Sequence, residues 1–526
     1  MRWVSKLRIL VVVLAIFLGA LAIQAQDETI LVVGHAENTD SLDPAHGYTQ
    51  TTGIVNRATY NTLVTFPDAD ASEILPMLAT EWTISEDGTE YTFTLRDDVT
   101  FASGNPLTAE DVVFSVERLQ NVMGNPSFLA EGIESVVANE DGTVTFTLAT
   151  PRPSFLAELT NYAFSITDSA TIMENGGTAA EDAAETDTAE DYLNGTSAGT
   201  GPYILDGWEQ DVETILVKNP NYWGEEPYFD RVIITNIPEA ATQKIALEAG
   251  DIDLALDLSR DQTATMEGNE NLIVYSGPGV QTHFLLMNED PELGGPVSDP
   301  LVQKAIRYAL DYEGYKALWG GVTPATNLTV GLAGAYGEDQ ALSRDLDMAR
   351  ELLAEAGYAD GFEITLSYPD YSSQGVNMNT NAQKIQSDLA EIGITVTLNT
   401  QELQVSLEEY RNGLQGFGYW FWGPDVLDPV DVLSFLPGGK VAEERANWTT
   451  EGVDEEILAL IDAASTETDP AARVEIFAQL QDYLKESSPF APFINPAIQA
   501  ASRADLQGFV FHPQWGVDVS ILSLSE

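Results

Sequence analysis

Residues 346–422 decide the fold: "LDMARELLAEAG" (346–357), "FEITLSY" (362–368), "NAQKIQSDLAEIG" (381–393), "ITVTLNT" (394–400), "SLEEYRNG" (406–413) and "LQGFGYWFW" (414–422) follow one another with short connections. The first, third and fifth segments space their apolar residues for one face of a helix, and the others are short β-rich runs. Gly357 and Gly393 stand where two of the helices must stop, which is where a left-handed residue is wanted. An alternation of helix and strand implies a mostly parallel sheet with right-handed crossovers. In such open sheets ligands bind beyond the carboxyl ends of the strands, and here the last strand runs into "GPDVLDP" (423–429). Asp425 therefore sits at a candidate site. Tyr419, Trp420, Phe421 and Trp422 alternate across the strand, two to each face. Pattern alone favours core over binding wall for these aromatics.

Upstream of this region, "WTISEDGTEYTFTLR" (82–96) and "VVANEDGTVTFTLAT" (136–150) resemble each other. Each places Asp-Gly between strand-like runs, and the alternation of Tyr91, Phe93 and Leu95, and of Val144, Phe146 and Leu148, predicts two hairpins with one buried face. Between them "LTAEDVVFSVERLQ" (107–120) is a helix opened by a capping box from Thr108 to Asp111. The low-complexity acidic run "TAAEDAAETDTAED" (178–191) reads as a solvated loop. The helix in "SDPLVQKAIRYALDYEGYKAL" (298–318) has Asp299 as N-cap and Pro300 in its first turn.

A chain of 526 residues is long enough for two or three domains. Arg2, Lys6 and Arg8 precede an apolar run and small residues, the pattern of an export signal over residues 1–25, cut after Ala22 or Ala25. With no cysteine there is no disulfide, no thiol nucleophile and no lipid-acceptor residue at the end of that signal. A formal charge of -60, from 83 acids against 23 bases, repels nucleic acid and anionic lipid surfaces.

Enzymatic motifs are few. Gly195, Ser197 and Gly199 match G-x-S-x-G, but that motif requires a strand before it and a helix after it, whereas β-like sequence follows. The histidines, His35, His46, His283 and His512, have no ligand spacing, so neither metal nor cofactor is expected.

Ten runs carry a resemblance to a known family. Among them are "SLDPA" (41–45), "YNTLVTF" (60–66), a long run over 75–119, "GTGPYILDGWE" (199–209), "NPNYWG" (219–224), "ATQKIALEAGDIDLA" (241–255), "VQKAIRYALD" (302–311) and "WGPDVLDP" (422–429), in order along the chain. The sequence resembles the extracytoplasmic solute-binding proteins of family 5, the dipeptide and oligopeptide binders of ABC importers. The resemblance implies an α/β, two-lobed clamshell of the type II periplasmic-binding-protein class, with an extra subdomain in the first lobe. Lobe I would comprise 27–61, 200–277 and 498–526, the subdomain 62–199, and lobe II 278–497. Two crossovers near 277–282 and 489–497 would form the hinge. It also implies a non-enzymatic, monomeric protein outside the cytoplasm that delivers a peptide or similar small polar ligand to a membrane permease. In the family's peptide binders an aspartate in the position of Asp425 pairs with the peptide α-amino group. Trp422, Gly423 and Trp420 would lie beside it, and Tyr48, Thr51 and Thr52 would line the cleft from the loop after "SLDP". Dipeptide binders carry an arginine before the helix matching 381–393, and this chain reads "YSSQGVNMNT" (371–380) there. Longer peptides are therefore favoured over strict dipeptides; a binder of an oligosaccharide or another polar solute is the alternative, and a secreted hydrolase ranks below it.

Overall fold

The computed structural model describes residues 28–525 except 37, 38, 72 and 374. The export signal read over 1–25 lies outside the described residues. Among those described, no helix is long and apolar enough to cross a membrane.

Two sheets dominate. The first has seven strands in the order Leu272–Pro278, Ala497–Arg503, Leu254–Ala255, Ile30–His35, Arg231–Asn236, Glu213–Lys218 and Tyr203–Glu209. The second has five, in the order Ile394–Gln401, Phe362–Pro369, Phe417–Trp422, Thr282–Met287 and Phe490–Ile494. The helix-strand alternation at 346–422 builds the parallel part of this second sheet, with Phe362–Pro369 parallel to both neighbours. Helices Leu346–Glu355, Met378–Ala390 and Leu403–Arg411 connect these strands. Gly357 and Gly393 both have φ of 89°, so each supplies the left-handed turn that ends its helix. Only Thr282–Met287 runs against the other four strands, being antiparallel to both of its neighbours. It arrives from the first sheet rather than from a helix, which is why the alternation does not foretell its direction. A core of Leu285, Ile306, Leu366, Ile385 and Phe417 fills the space between this sheet and its helices.

The two sheets are joined by adjacent crossovers. Leu272–Pro278 pairs with Ala497–Arg503 up to Pro278 opposite Ala497, and three residues later Thr282–Met287 pairs with Phe490–Ile494 in the other sheet. Asn495 stitches them together, its Nδ2 donating to Gln281 O at 2.8 Å and Thr282 Oγ1 at 2.6 Å. A Cβ on Gly279 would lie 2.3 Å from the Pro496 carbonyl oxygen, so the close approach requires glycine.

A third, four-stranded antiparallel sheet runs Ala79–Ile84, Glu90–Leu95, Thr143–Leu148 and Ile133–Ala138. These are the two hairpins read from the repeated Asp-Gly pattern, with Gly88 at φ 71° and Gly142 at φ 84°. They pair with each other, Tyr91 opposite Phe146 and Phe93 opposite Val144, and all four side chains are buried. Helix Ala109–Val122 packs on this sheet, opened by Asp111, whose carboxylate accepts from the Thr108 N–H at 2.9 Å.

The acidic run 178–191 is not a plain solvated loop. It contains the short helices Ala183–Thr186 and Glu190–Leu193. Asp187 is buried within it, accepting from Arg118 Nε at 2.8 Å and Nη2 at 2.9 Å. The same guanidinium grips Asp43 of the "SLDP" turn with two bonds of 2.7 Å. Composition misread the segment because one buried ion pair outweighs the solubility of its neighbours.

Candidate functional site

The strand Phe417–Trp422 divides its aromatics between two faces. Phe417, Tyr419 and Phe421 face the helices of the second lobe; the Tyr419 hydroxyl accepts from Asn381 Nδ2 at 2.7 Å and lies 2.7 Å from His283 Nδ1. Trp420 and Trp422 take the other face. Trp420 is 3% exposed, stacked on Tyr410 at 4.2 Å and donating its indole N–H to Gln415 Oε1 at 2.7 Å. This places Trp420 in the core behind the strand rather than among the ligand contacts expected for it. Trp422, at the strand end, is only partly buried. Its indole N–H donates to Asp431 Oδ2 at 2.8 Å, and Arg445 lies over its ring at 5.4 Å.

Beyond the strand, exposed Gly423 and half-buried Pro424 lead to Asp425. Three parts of the chain meet there. The Tyr48 hydroxyl donates to Asp425 Oδ1 at 3.0 Å, Asn161 Nδ2 donates to the Asp425 carbonyl oxygen at 3.3 Å, and the Asp425 N–H donates to Asp431 Oδ1 at 3.1 Å. The next residues extend the contact: Val426 packs against the core of the four-stranded sheet, and Leu427 is buried with Phe66 and Trp515. The tip of the second lobe is thus docked onto the first lobe and its subdomain. Asp428 is committed elsewhere, bound by Arg473 at 2.6 and 3.0 Å and capping the following turn through Val430 N–H at 2.9 Å.

Among the described residues no cation stands within ion-pair distance of Asp425 or Asp431, although both are withdrawn from water. Burial pushes the Asp425 carboxyl above its ordinary range, with the Tyr48 hydrogen bond and the more distant charges of Arg445 and Lys440 pulling it down. Burial, and then the charge of Asp425, push Asp431 up to about 8. The two N–H groups on Asp431 only partly offset this. Two neighbouring carboxyls short of positive charge favour a cationic group placed between the lobes.

The loop after "SLDP" contributes one residue to this arrangement. Tyr48 reaches Asp425 and packs near Tyr162 and Phe128 at ring distances of 5.8 and 5.7 Å. Thr52 is fully buried, its hydroxyl donating to Ser41 O at 2.9 Å. Thr51 lines a separate small cavity with His35, Thr39 and Trp208. Of the two threonines expected at the cleft, Thr52 is thus bonded to the turn that precedes helix Gln50–Thr59, and Thr51 is buried within that helix. The cation-free segment 371–380 does border the site: Tyr371 stacks on Phe421 at 5.6 Å, and Ser373 Oγ donates to Gln281 Oε1 at 3.1 Å beside the crossover. Ser197 of the G-x-S-x-G pattern accepts from the Leu205 N–H at 3.1 Å and precedes strand Tyr203–Glu209, so it sits on no strand-to-helix elbow.

Sequence reasoning missed Asp431, Asn161 and Arg445. Asp431 could have been noticed as the third acid of D-x-x-D-P-x-D, but its partnership with Trp422 and Asp425 depends on the turn folding back. Asn161 carries no sequence signal.

Comparison with known proteins bears on the whole chain. The model of the bacterial extracellular solute-binding proteins, family 5, middle region, matches residues 73–443. The chain is 28% identical over 503 residues to the probable D,D-dipeptide-binding periplasmic protein DdpA of Escherichia coli strain K12, covering 93% of both chains. It is 29% identical over 557 residues to di/tripeptide-binding protein 2 of Pseudomonas aeruginosa strain UCBPP-PA14, covering 100% of both. Among solved structures, the ABC transporter-associated periplasmic binding protein DppA of Helicobacter pylori in complex with peptide STSA superposes with a TM-score of 0.76 at 27% identity, over 96% of this chain and 100% of that one. The fold is accordingly that of a type II periplasmic binding protein.

Proposed function

Because the chain belongs to the bacterial extracellular solute-binding proteins of family 5, we propose that it binds peptides between its lobes outside the cytoplasm and delivers them, as a monomer, to an ABC permease in the membrane. The observation that carries the reading is Asp425, a partly buried carboxylate at the meeting of both lobes, hydrogen-bonded by the neutral Tyr48 phenol and lacking an ion-pair partner among the described residues. A peptide α-ammonium supplies the missing charge in an oriented, charge-assisted hydrogen bond. Trp422 and Gly423 flank it, Trp420 supports the strand from behind, and the paired crossovers at 279–281 and 495–496 act as the hinge on which the lobes close.

Peptides longer than two residues fit best, because segment 371–380 bordering the site contains no cation to hold a carboxylate one residue away. The relatives, named as a probable D,D-dipeptide binder and a di/tripeptide binder, together with the peptide-bound structural neighbour, support a peptide over a sugar.

Calorimetry with matched peptides tests the proposal. Peptides of two to five residues with free amino termini are expected to bind, and the same peptides N-acetylated to lose most of their affinity. Equal affinity for both forms would remove the anchoring role of Asp425, and a thermal shift with oligosaccharides but no peptide would overturn the peptide reading.

A further inference from the structure

Helix Pro300–Ala309 buries a guanidinium without a counter-charge. Arg307 is 3% exposed, and its Nη1 and Nη2 reach only the carbonyl oxygens of Leu484 and Glu486, at long distances of 3.3 and 3.5 Å. Its Nε has no acceptor. The Glu486 carboxylate, close along the chain, is taken by Lys304 at 2.6 Å. Among the described residues no acid forms an ion pair with Arg307, in a chain where acids outnumber bases 83 to 23. A buried cation left so costs several kcal/mol unless something offsets it.

The same guanidinium lines a small cavity. Asn327, also 3% exposed, lines it too, and its Nδ2 has no acceptor. The Ser488 hydroxyl accepts from the Phe490 N–H at 3.1 Å and still has a proton to give. Lys485 lines it as well, with its ammonium over the Tyr336 ring at 5.6 Å; the remaining lining is mostly apolar, and no acid is part of it. The cavity offers about 10 Å³ to the centre of a water-sized sphere, room for one small occupant. Burial pulls the Arg307 guanidinium below its usual value, against the opposing influence of Tyr312, the more distant Glu486 charge and Tyr308.

We propose that this cavity is a binding site for one small monoanion of halide size, held by Arg307 and Asn327. The donors on the wall call for an acceptor, and the uncompensated guanidinium calls for a negative one. A water molecule would satisfy the first demand alone. The anion would tie helix Pro300–Ala309 to segment 324–327 and to strand Phe490–Ile494, whose far end enters the crossover at 495–496. Segment 322 is already paired there, Val322 with Asn495 through bonds of 3.1 and 2.9 Å. The site bears on the stability of the second lobe and is independent of the peptide cleft.

The test compares unfolding midpoints of the full chain in sodium chloride, sodium bromide and sodium gluconate at equal ionic strength, since a chain of this charge responds to screening alone. Chloride and bromide are expected to raise the midpoint saturably above gluconate, and Arg307→Gln and Asn327→Leu to abolish or weaken that rise. Crystals grown in bromide are expected to show an anomalous peak within about 3.5 Å of Arg307 and Asn327. That measurement on the unaltered protein decides the matter if Arg307→Gln does not fold. Identical midpoints in chloride and gluconate, or no anomalous peak at this position, would leave water as the occupant and overturn the proposal.

Discussion

Two clusters of buried acids in this molecule are built in opposite ways. At the base of the subdomain, Asp43 and Asp187 share Arg118, which is 2% exposed and binds each with two hydrogen bonds. Burial alone would raise the Asp43 carboxyl, but Arg118 overrides it and holds the group well below the usual carboxylate range. At the tip of the second lobe, Asp425 and Asp431 are also withdrawn from water, with neutral donors in place of a cation, and both shift upward. The first cluster is complete within the protein and joins the "SLDP" turn to the subdomain. The second has no ion-pair partner among the described residues, and the proposed peptide ammonium would supply one. Burial of an acid is common to both, and the presence of a counter-charge separates a structural clamp from a receptor.

The contrast can be broken most forcefully at Arg118. Arg118→Met strands two buried carboxylates, and a loss of about 3–5 kcal/mol in unfolding free energy is expected; chemical denaturation measures it, and a loss under 1 kcal/mol would show the clamp to be dispensable. Asp425→Ala should act on the other ledger. Peptide affinity is expected to fall by about 2–5 kcal/mol while stability holds or rises, because an uncompensated buried charge is removed. Calorimetry and denaturation on one preparation separate the two effects, and unchanged peptide affinity would show that Asp425 is no anchor.

The pH dependence sharpens the comparison, since the clusters respond with opposite sign. Asp43, lowered from 3.8, contributes stability that is present above pH 3.8 and lost as pH falls toward its folded value. Asp431, raised from 3.8 to about 8, keeps its proton longer in the folded state, so stability is greatest near pH 4 and declines as pH rises to about 8. His46, raised from 6.5 through its contact with Asp43, adds stability present below pH 6.5 and lost as pH rises through its folded value. Asp431→Asn is expected to flatten most of the decline between pH 4 and 8, with Asp425 and His46 accounting for what remains. A profile for Asp431→Asn identical to that of the unaltered protein would contradict the assignment. The smallest expected effect belongs to Tyr48→Phe, which deletes one hydrogen bond to Asp425. It should weaken peptide binding by about 0.5–1.5 kcal/mol, read by calorimetry.

Much of the architecture could be read directly from the residues. The alternation at 346–422 and the twin Asp-Gly hairpins are local patterns, and each reappears as a sheet with the inward residues that periodicity assigns. Asp425 was also legible, because a strand end followed by Gly-Pro-Asp is a local signal and the family resemblance reinforces it. Its surroundings were less so. Tyr48 lies 377 residues from Asp425, and the loop containing it holds three hydroxyl residues that look alike in sequence. Helix packing turns Thr52 inward to Ser41 and leaves Tyr48 alone to reach across. Trp420 and Trp422 share a strand face and differ by one turn of the pleat, yet Tyr410 covers the first and leaves the second at the rim.

The amino-acid sequence was enough to establish the kind of fold, the hairpins of the subdomain and the strand-end position of one acid, because hydrophobic period and turn chemistry act over a few residues; the family came from resemblance along the chain. Which acids are neutralised and which are left waiting emerged from the folded molecule alone. Coulombic attraction and desolvation depend on distance and burial, and Arg118 meets Asp187 across 69 residues of chain while Asp425 forms no ion pair among the described residues. In a chain with 60 excess negative charges, composition says that most acids lack a partner; three-dimensional packing selects the few for which that lack has a function.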